Sequence, residues 1–176
     1  KFPNKKYNII YADPAWNYET WSEGASRNVK GKYKTMSMKE IWDLPVKDIC
    51  EKDCILFIWV TYPKLIDCIE TITKWGFTYK TCGFSWIKKN KKSDSLFLGM
   101  GYWTRANNEI CLLATKGKPK KISSSVRQVV LEPIREHSRK PDCVRDRIVE
   151  LLGDLPRIEL FARQKVTGWD SWGDEV

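Results

Sequence analysis

A carboxylate, a rigid turn and an aromatic plane stand together in Asp13-Pro14-Ala15-Trp16. Each supplies part of one chemistry. The Asp13 carboxylate accepts hydrogen bonds. Pro14 has no N–H and a fixed φ, so it stiffens the turn and holds carbonyl oxygens at set positions. Trp16 offers a face on which a flat ring can stack. Together these groups can receive the two N–H bonds of an exocyclic amine and hold its ring. An amine conjugated with a ring, as in adenine, is a poor nucleophile because its lone pair is delocalised. Two fixed acceptors favour the positive charge that grows on such a nitrogen as it attacks a methyl donor, which is electrostatic preorganisation. Holding the amine in line with the donor adds a proximity effect. No strong base is needed beforehand, since the proton becomes acidic as the new bond forms. Asp-Pro also opens ordinary turns, and Trp16 serves equally well as a core residue. The four residues alone leave both readings open.

The flanking sequence places this motif at a strand end. Residues 7–12 form an apolar run that stops at Asp13-Pro14. Residues 17–35 are rich in Ser, Gly, Asn and Lys and read as a long loop, a kind of segment that often carries function. Ser37 with Glu40 three residues on predicts a capping box and a short helix to about Leu44. Residues 54–60 predict a second buried strand. Pro63 opens a helix through Trp75, with Leu65, Ile66, Ile69, Ile72 and Trp75 on one face, and Gly76 ends it. A third strand is expected at 77–87, a basic loop at 88–104, a fourth strand at 109–115, a basic turn at 116–125 and a further short strand at 126–131. Pro141 starts an amphipathic helix with Val144, Ile148, Leu151 and Leu152 inward, closed by Gly153-Asp154. Residues 157–161 are the last expected strand. Apolar strands alternating with helices predict a single α/β domain over residues 1–176, its sheet covered on both faces. Ligands gather at the carboxyl ends of such strands, where Asp13 and the stretch from Glu159 to Arg163 fall.

Composition narrows the partners. The 176 residues carry 31 Lys and Arg against 22 Asp and Glu, a net charge of +9. That balance points to an anionic partner, nucleic acid before a membrane surface, although a basic enzyme with an ordinary substrate is also compatible. Nine Trp residues serve a core, a base-stacking surface, or both. None of the six Cys forms a C-x-x-C pair, and several sit in apolar runs, as buried thiols of a reducing compartment do. His137 is the one histidine, which argues against a zinc site or a His-based triad. No apolar run is long enough to span a bilayer, and the first residues do not resemble a secretory signal. The expected location is intracellular and cytoplasmic, with no membrane partner.

From Tyr7 onward the chain resembles the MT-A-seventy family of N6-adenine methyltransferases. Ala12-Asp-Pro-Ala-Trp16 is similar to the family's Ala-Asp-Pro-Pro-Trp, and Tyr33-Lys-Thr-Met36 to the Tyr-x-Thr-Met that follows. Ile55-Leu-Phe-Ile-Trp-Val-Thr61 is similar to a family strand. Gly101-Tyr-Trp103, Glu109-Ile-Cys-Leu112 and Lys116-Gly-Lys-Pro119 match a third block. Arg139-Lys-Pro-Asp142 with Ile158-Glu-Leu-Phe-Ala-Arg163 matches a fourth. Five segments in collinear order make the resemblance specific.

The resemblance implies a Rossmann-like methyltransferase fold of permuted motif order, catalytic motif first and cofactor segment last. It implies S-adenosyl-L-methionine as cofactor. Asp13, Pro14, Ala15 and Trp16 would form the catalytic turn that holds the target amine. Asp13, Lys140, Glu159, Phe161, Arg163, Asp174 and Glu175 would meet the cofactor. Trp16, Tyr33, Glu109 and Lys140 would meet the substrate. Each has a plainer reading: Lys140 a solvated charge ahead of a helix, Glu109 an electrostatic cap on a basic loop, Arg163 a structural partner of Glu159. Three departures stand out. Ala15 replaces a proline, Lys165-Val166 replaces His-Asn, and Asp174-Glu175 replaces amides.

A duplex buries the adenine amine, so the base must be flipped out or the strand be single. Arg27, Lys30, Lys32 and Lys34, then Lys88, Lys89, Lys91 and Lys92, then Lys116, Lys118, Lys120 and Lys121 would track phosphates if they surround the site, and are otherwise solvated loop charges. The compact chain looks like the bacterial or phage branch of the family, which favours DNA over RNA. Alternatives are an RNA adenosine methyltransferase and a catalytically silent, nucleic-acid-binding partner subunit. Asp13 argues against the silent subunit. Family practice suggests a homodimer or a heterodimer with a related subunit.

Overall fold

The computed structural model of the protein describes residues 1–16 and 36–176. Residues 17–35, expected from sequence as a loop, with Tyr33, Arg27, Lys30, Lys32 and Lys34, lie outside the described residues.

Among the described residues, one seven-stranded sheet organises the fold. Its strands are β1 (Tyr7–Ala12), β2 (Cys50–Val60), β3 (Thr78–Lys89), β4 (Asn108–Lys116), β5 (Val129–Pro133), β6 (Arg157–Leu160) and β7 (Asp170–Trp172), in the order β5-β3-β4-β2-β1-β6-β7. Only β4 runs against its neighbours; the other pairings are parallel. This single reversal matters for the site. The register Val60↔Ile110 and Trp86↔Glu109 brings the start of β4 to the edge at which β1, β2 and β3 end.

Alternate side chains of the central strands enter two cores, as the two-residue period of a strand requires. Ile10, Leu56 and Ile58 face one side with α1 (Met38–Trp42) and α2 (Leu65–Lys74). Ile9, Tyr11, Phe57 and Trp59 face the other with α3 (Cys143–Leu152). The expected capping box of α1 is present: Ser37 Oγ accepts from the Glu40 N–H and Glu40 Oε2 from the Ser37 N–H. Helix α3 buries Val144, Ile148 and Leu152, and Gly153 ends it at φ 93°.

Two expectations need correction. Ile66 was expected on the inner face of α2 but is 84% exposed. At about 100° per residue, the stripe through Cys68, Ile72 and Trp75 leaves Ile66 on the opposite side. Trp75 is fully buried, with its indole N–H donated to the Ile41 carbonyl at 2.9 Å, so it sets which side faces in. Strand β7 had no expected counterpart, because three residues are too short for a periodic pattern to emerge. It joins the sheet only by pairing with β6. All six cysteines are free thiols. Among the described residues, no helix is long and apolar enough to cross a membrane.

Candidate active site

The turn after β1 is clamped from both sides. The Asp13 N–H donates to the Leu160 carbonyl of β6 at 3.4 Å, and the Trp16 N–H to the Pro14 carbonyl at 2.9 Å. The Trp16 indole N–H donates to the Trp59 carbonyl of β2 at 3.0 Å, and the residue is 6% exposed. Trp16 is therefore a core residue and a wall of the site at once. Its anchor supplies stiffness where Ala15 has replaced a proline. The Pro14 carbonyl keeps a second lone pair for another donor.

Lys140 reaches this turn from the segment ahead of α3. Ser138 adopts left-handed backbone, φ 55°, and the Lys140 ammonium then lies 3.1 Å from Asp13 Oδ2 and 3.2 Å from Glu109 Oε2. It also donates to the Ser138 carbonyl at 3.0 Å and stands 5.7 Å from the centre of the Trp59 ring. The second Glu109 oxygen accepts from Lys88 Nζ at 2.7 Å. Charges thus alternate along Asp13, Lys140, Glu109 and Lys88. Burial opposes ionisation of Glu109, but the ammonium groups of Lys140 and Lys88 outweigh it and hold the carboxyl below its usual range. Burial likewise opposes the charge on Lys140, and Asp13 and Glu109 outweigh it, raising the ammonium above its ordinary value.

The ends of β6 and β7 form the opposite wall. Both Glu159 oxygens accept from Arg145, at 2.7 Å from Nε and 2.9 Å from a terminal nitrogen, a bidentate fork. Arg145 is thus a partner of Glu159 that the sequence did not single out. Phe161 is a non-glycine residue in left-handed backbone, φ 61°, and its ring meets Trp172 edge-on at 5.4 Å. Strain at Ser138 and Phe161 on either side of one cleft is the kind of backbone irregularity that clusters at functional sites. Beyond Trp172, Gly173 passes so close to Ala162 that a Cβ there would sit 2.3 Å from its carbonyl oxygen. This close passage directs Asp174 and Glu175 into the cleft.

Two adjoining cavities lie here among the described residues. The larger, about 440 Å³, is lined by Asp13, Pro14, Ala15, Trp16, Glu109, Lys140, Phe161, Arg163, Asp174 and Glu175. Those are all the site residues expected from sequence except Tyr33, which is outside the described residues, and Glu159. Glu159 lines the smaller cavity, about 190 Å³, which shares Asp13, Lys140, Phe161 and Arg163 with the larger. Sequence reasoning missed Arg145, Trp59, Thr61 and Trp172 as members or supports of the site. Lys88, one of the lysines that would track phosphates if they surround the site, pairs with Glu109. The two are 21 residues apart, and only the antiparallel β3–β4 pairing joins them. The basic turn from Lys116 to Lys121 does not surround the site, which leaves the reading of solvated loop charges. The register Cys54↔Lys116 puts it at the far edge of the sheet from the cavities, roughly 20 Å along β2 at about 3.3 Å per residue.

The comparisons with known proteins meet this geometry directly. The MT-A70 family model matches residues 7–175. The chain belongs to the MT-A70 family. It is 36% identical to the Type II methyltransferase M.MunI of a Mycoplasma species, over 100% of this chain and 80% of that protein. It is 27% identical to the N(6)-adenosine-methyltransferase catalytic subunit METTL3 of Homo sapiens, over 90% of this chain but 26% of METTL3. The N6-methyladenosine RNA methyltransferase MTA1 of Pyricularia oryzae is 27% identical, over 97% of this chain and 47% of its own length. The mixed sheet is the Rossmann-like fold of MT-A70 methyltransferases, and the chain is a methyltransferase.

MT-A70 membership implies S-adenosylmethionine as the methyl donor in general terms. The cavity residues fit such a group. It carries a carboxylate, an ammonium, a sulfonium, a ribose diol and a flat base. The walls offer cations at Lys140 and Arg163, carboxylates at Asp13, Asp174 and Glu175, and apolar rings at Phe161 and Trp172. Glu159 retains lone pairs beyond those given to Arg145.

Proposed function

We propose that this MT-A70 protein methylates the N6 amino group of adenine in DNA. The observation that carries the reading is the Lys140 ammonium bridging Asp13 and Glu109 on the wall of a cavity that also holds Pro14 and Trp16. S-adenosylmethionine, when bound, supplies a methyl group on a sulfonium that a nitrogen lone pair can displace. Asp13 and the Pro14 carbonyl accept the two amine N–H bonds and turn the lone pair toward that methyl. The Trp16 ring walls the base, held by its bond to Trp59. Lys140 holds the Asp13 and Glu109 side chains in place through its two ion pairs. As the nitrogen gains positive charge, the fixed Asp13 carboxylate stabilises it and accepts the proton that becomes acidic. Asp13, Lys140, Glu159, Phe161, Arg163, Asp174 and Glu175 would hold the donor. The target adenine must leave a duplex stack to reach them. Such a role keeps the protein inside the cell with its nucleic acid.

The polymer is inferred from relatedness. M.MunI matches at 36% over the whole chain, and the adenosine-named METTL3 at 27% over a quarter of its length. RNA is the second reading, and the printed names of METTL3 and MTA1 support it. The test is transfer from methyl-labelled S-adenosylmethionine to DNA and RNA oligonucleotides, with N6-methyladenine sought in the product. Labelled DNA, lost in Asp13→Ala by about a hundredfold or more, is the expected result. Label in RNA alone would reverse the polymer, and no transfer with no cofactor binding would leave a silent partner subunit.

A further inference from the structure

Between β3 and β4 the chain exposes apolar side chains that no core accounts for. Leu96, Leu98, Met100, Tyr102 and Trp103 are all exposed, Tyr102 at 95% and Trp103 at 99%. Their loop is internally built. Leu96 bridges Lys89, the Phe97 N–H donates to the Lys88 carbonyl at 2.8 Å, and Arg105 Nε donates to the Gly99 carbonyl at 2.6 Å. Gly99 and Gly101 are required there, since a Cβ would lie 1.8 Å from the Ala106 oxygen and 2.1 Å from the Thr104 oxygen. The loop is therefore a tongue with its aromatic tip held outward. It springs from the sheet edge of the active site: Lys88 and Glu109 pair at its base, and Asn108 Nδ2 donates to Tyr62 Oη at 2.8 Å beside Thr61 of the cavity.

We propose that Tyr102 and Trp103 form a wedge that enters the DNA base stack beside the target adenine, with Lys91 and Lys92 on the flanking phosphates. The inference rests on the nucleic-acid reading of the site. Extruding a base leaves a gap in the stack, and apolar wedges at such steps replace the lost stacking. A large apolar patch on a protein surface marks an interaction site. Charge selects the occupant. With the Lys88–Glu109 pair at its base included, residues 88–109 carry Lys88, Lys89, Lys91, Lys92 and Arg105 against Asp94 and Glu109, a net of 5 − 2 = +3. Phosphates complement that charge. A second copy meeting the same tongue would repel it.

The experiment measures fluorescence anisotropy of a fluorescein-labelled, mixed-sequence DNA duplex with wild type, Trp103→Ala, Tyr102→Ala and Trp103→Phe. Sedimentation velocity of each, and titration with S-adenosylhomocysteine, run alongside. Trp103→Ala should bind the duplex roughly tenfold more weakly. Trp103→Phe should restore most of the binding, and affinity for S-adenosylhomocysteine should not change. If wild type binds and methylates DNA and both alanine variants bind it equally well, the wedge is wrong while the function stands. If Trp103→Ala converts a dimer to a monomer, the tongue's occupant is a second copy and the proposal is overturned. Wild type that binds no duplex overturns the nucleic-acid reading, and the wedge with it.

Discussion

The Lys140 ammonium lies 3.1 Å from the Asp13 carboxylate, although 127 residues of sequence separate them. Its side chain is 11% exposed, and it also serves Glu109. Removing it leaves carboxylates facing one another in a poorly solvated cleft. Lys140→Met should lose about 3–5 kcal/mol of stability and most methyl transfer. Urea denaturation reads the first and product formation the second. Lys140→Arg should keep most of the stability, because the counter-charge survives. A Lys140→Met protein as stable as wild type would mean the bridge is not a significant stabilising contact.

Glu109 gives a pH test with a definite sign. Its carboxyl is held below the usual range in the folded chain. Such a group contributes stability above its unfolded pKa of about 4.3, and that contribution fades as pH falls through the lower folded value. The gap in stability between wild type and Glu109→Gln should be full at neutral pH and shrink below about pH 4.3. Paired urea melts across the acid range measure it. A gap constant with pH would show that ionised Glu109 does not stabilise the fold.

Arg145 was invisible in the sequence and is the bidentate partner of Glu159. Arg145→Met leaves a carboxylate of 12% side-chain exposure without its fork, and about 3–5 kcal/mol should be lost. Arg145→Lys should recover only part, because an ammonium cannot make the planar double bond. Chemical denaturation of the three proteins gives the order. Equal stability of the Lys variant and wild type would reduce the fork to simple charge.

Gly173 tests the tail without touching a ligand side chain. A Cβ there would meet the Ala162 oxygen at 2.3 Å and its nitrogen at 2.8 Å, where the Ala162 N–H donates to the Trp172 carbonyl at 3.0 Å. Gly173→Ala should push Asp174 and Glu175 away. Affinity for S-adenosylhomocysteine, read by calorimetry, should fall about tenfold, while the melting temperature moves little. Unchanged affinity would remove the tail carboxylates from the cofactor site.

The sequence by itself determined most local elements. The apolar run at 7–12, the Ser37–Glu40 capping box, the helix stop at Gly76 and the pattern of α3 are written in adjacent residues, because caps, φ freedom and periodicity act over a few positions. The turn proposed as catalytic was equally legible, since Asp, Pro and Trp are nearly contiguous. What lay out of reach was pairing between distant residues. Nothing local told that β4 runs antiparallel, yet that reversal brings Glu109 to Lys88 and Lys140 and sends the basic turn at 116–121 to the far edge. Nor could spacing pair Arg145 with Glu159, or tell which tryptophans are buried and which stand in solvent. Trp16 and Trp103 have the same side chain. One donates its indole N–H to Trp59 inside the core and the other projects from a glycine-bent tongue. Register and loop path made that choice, and both are properties of the assembled sheet.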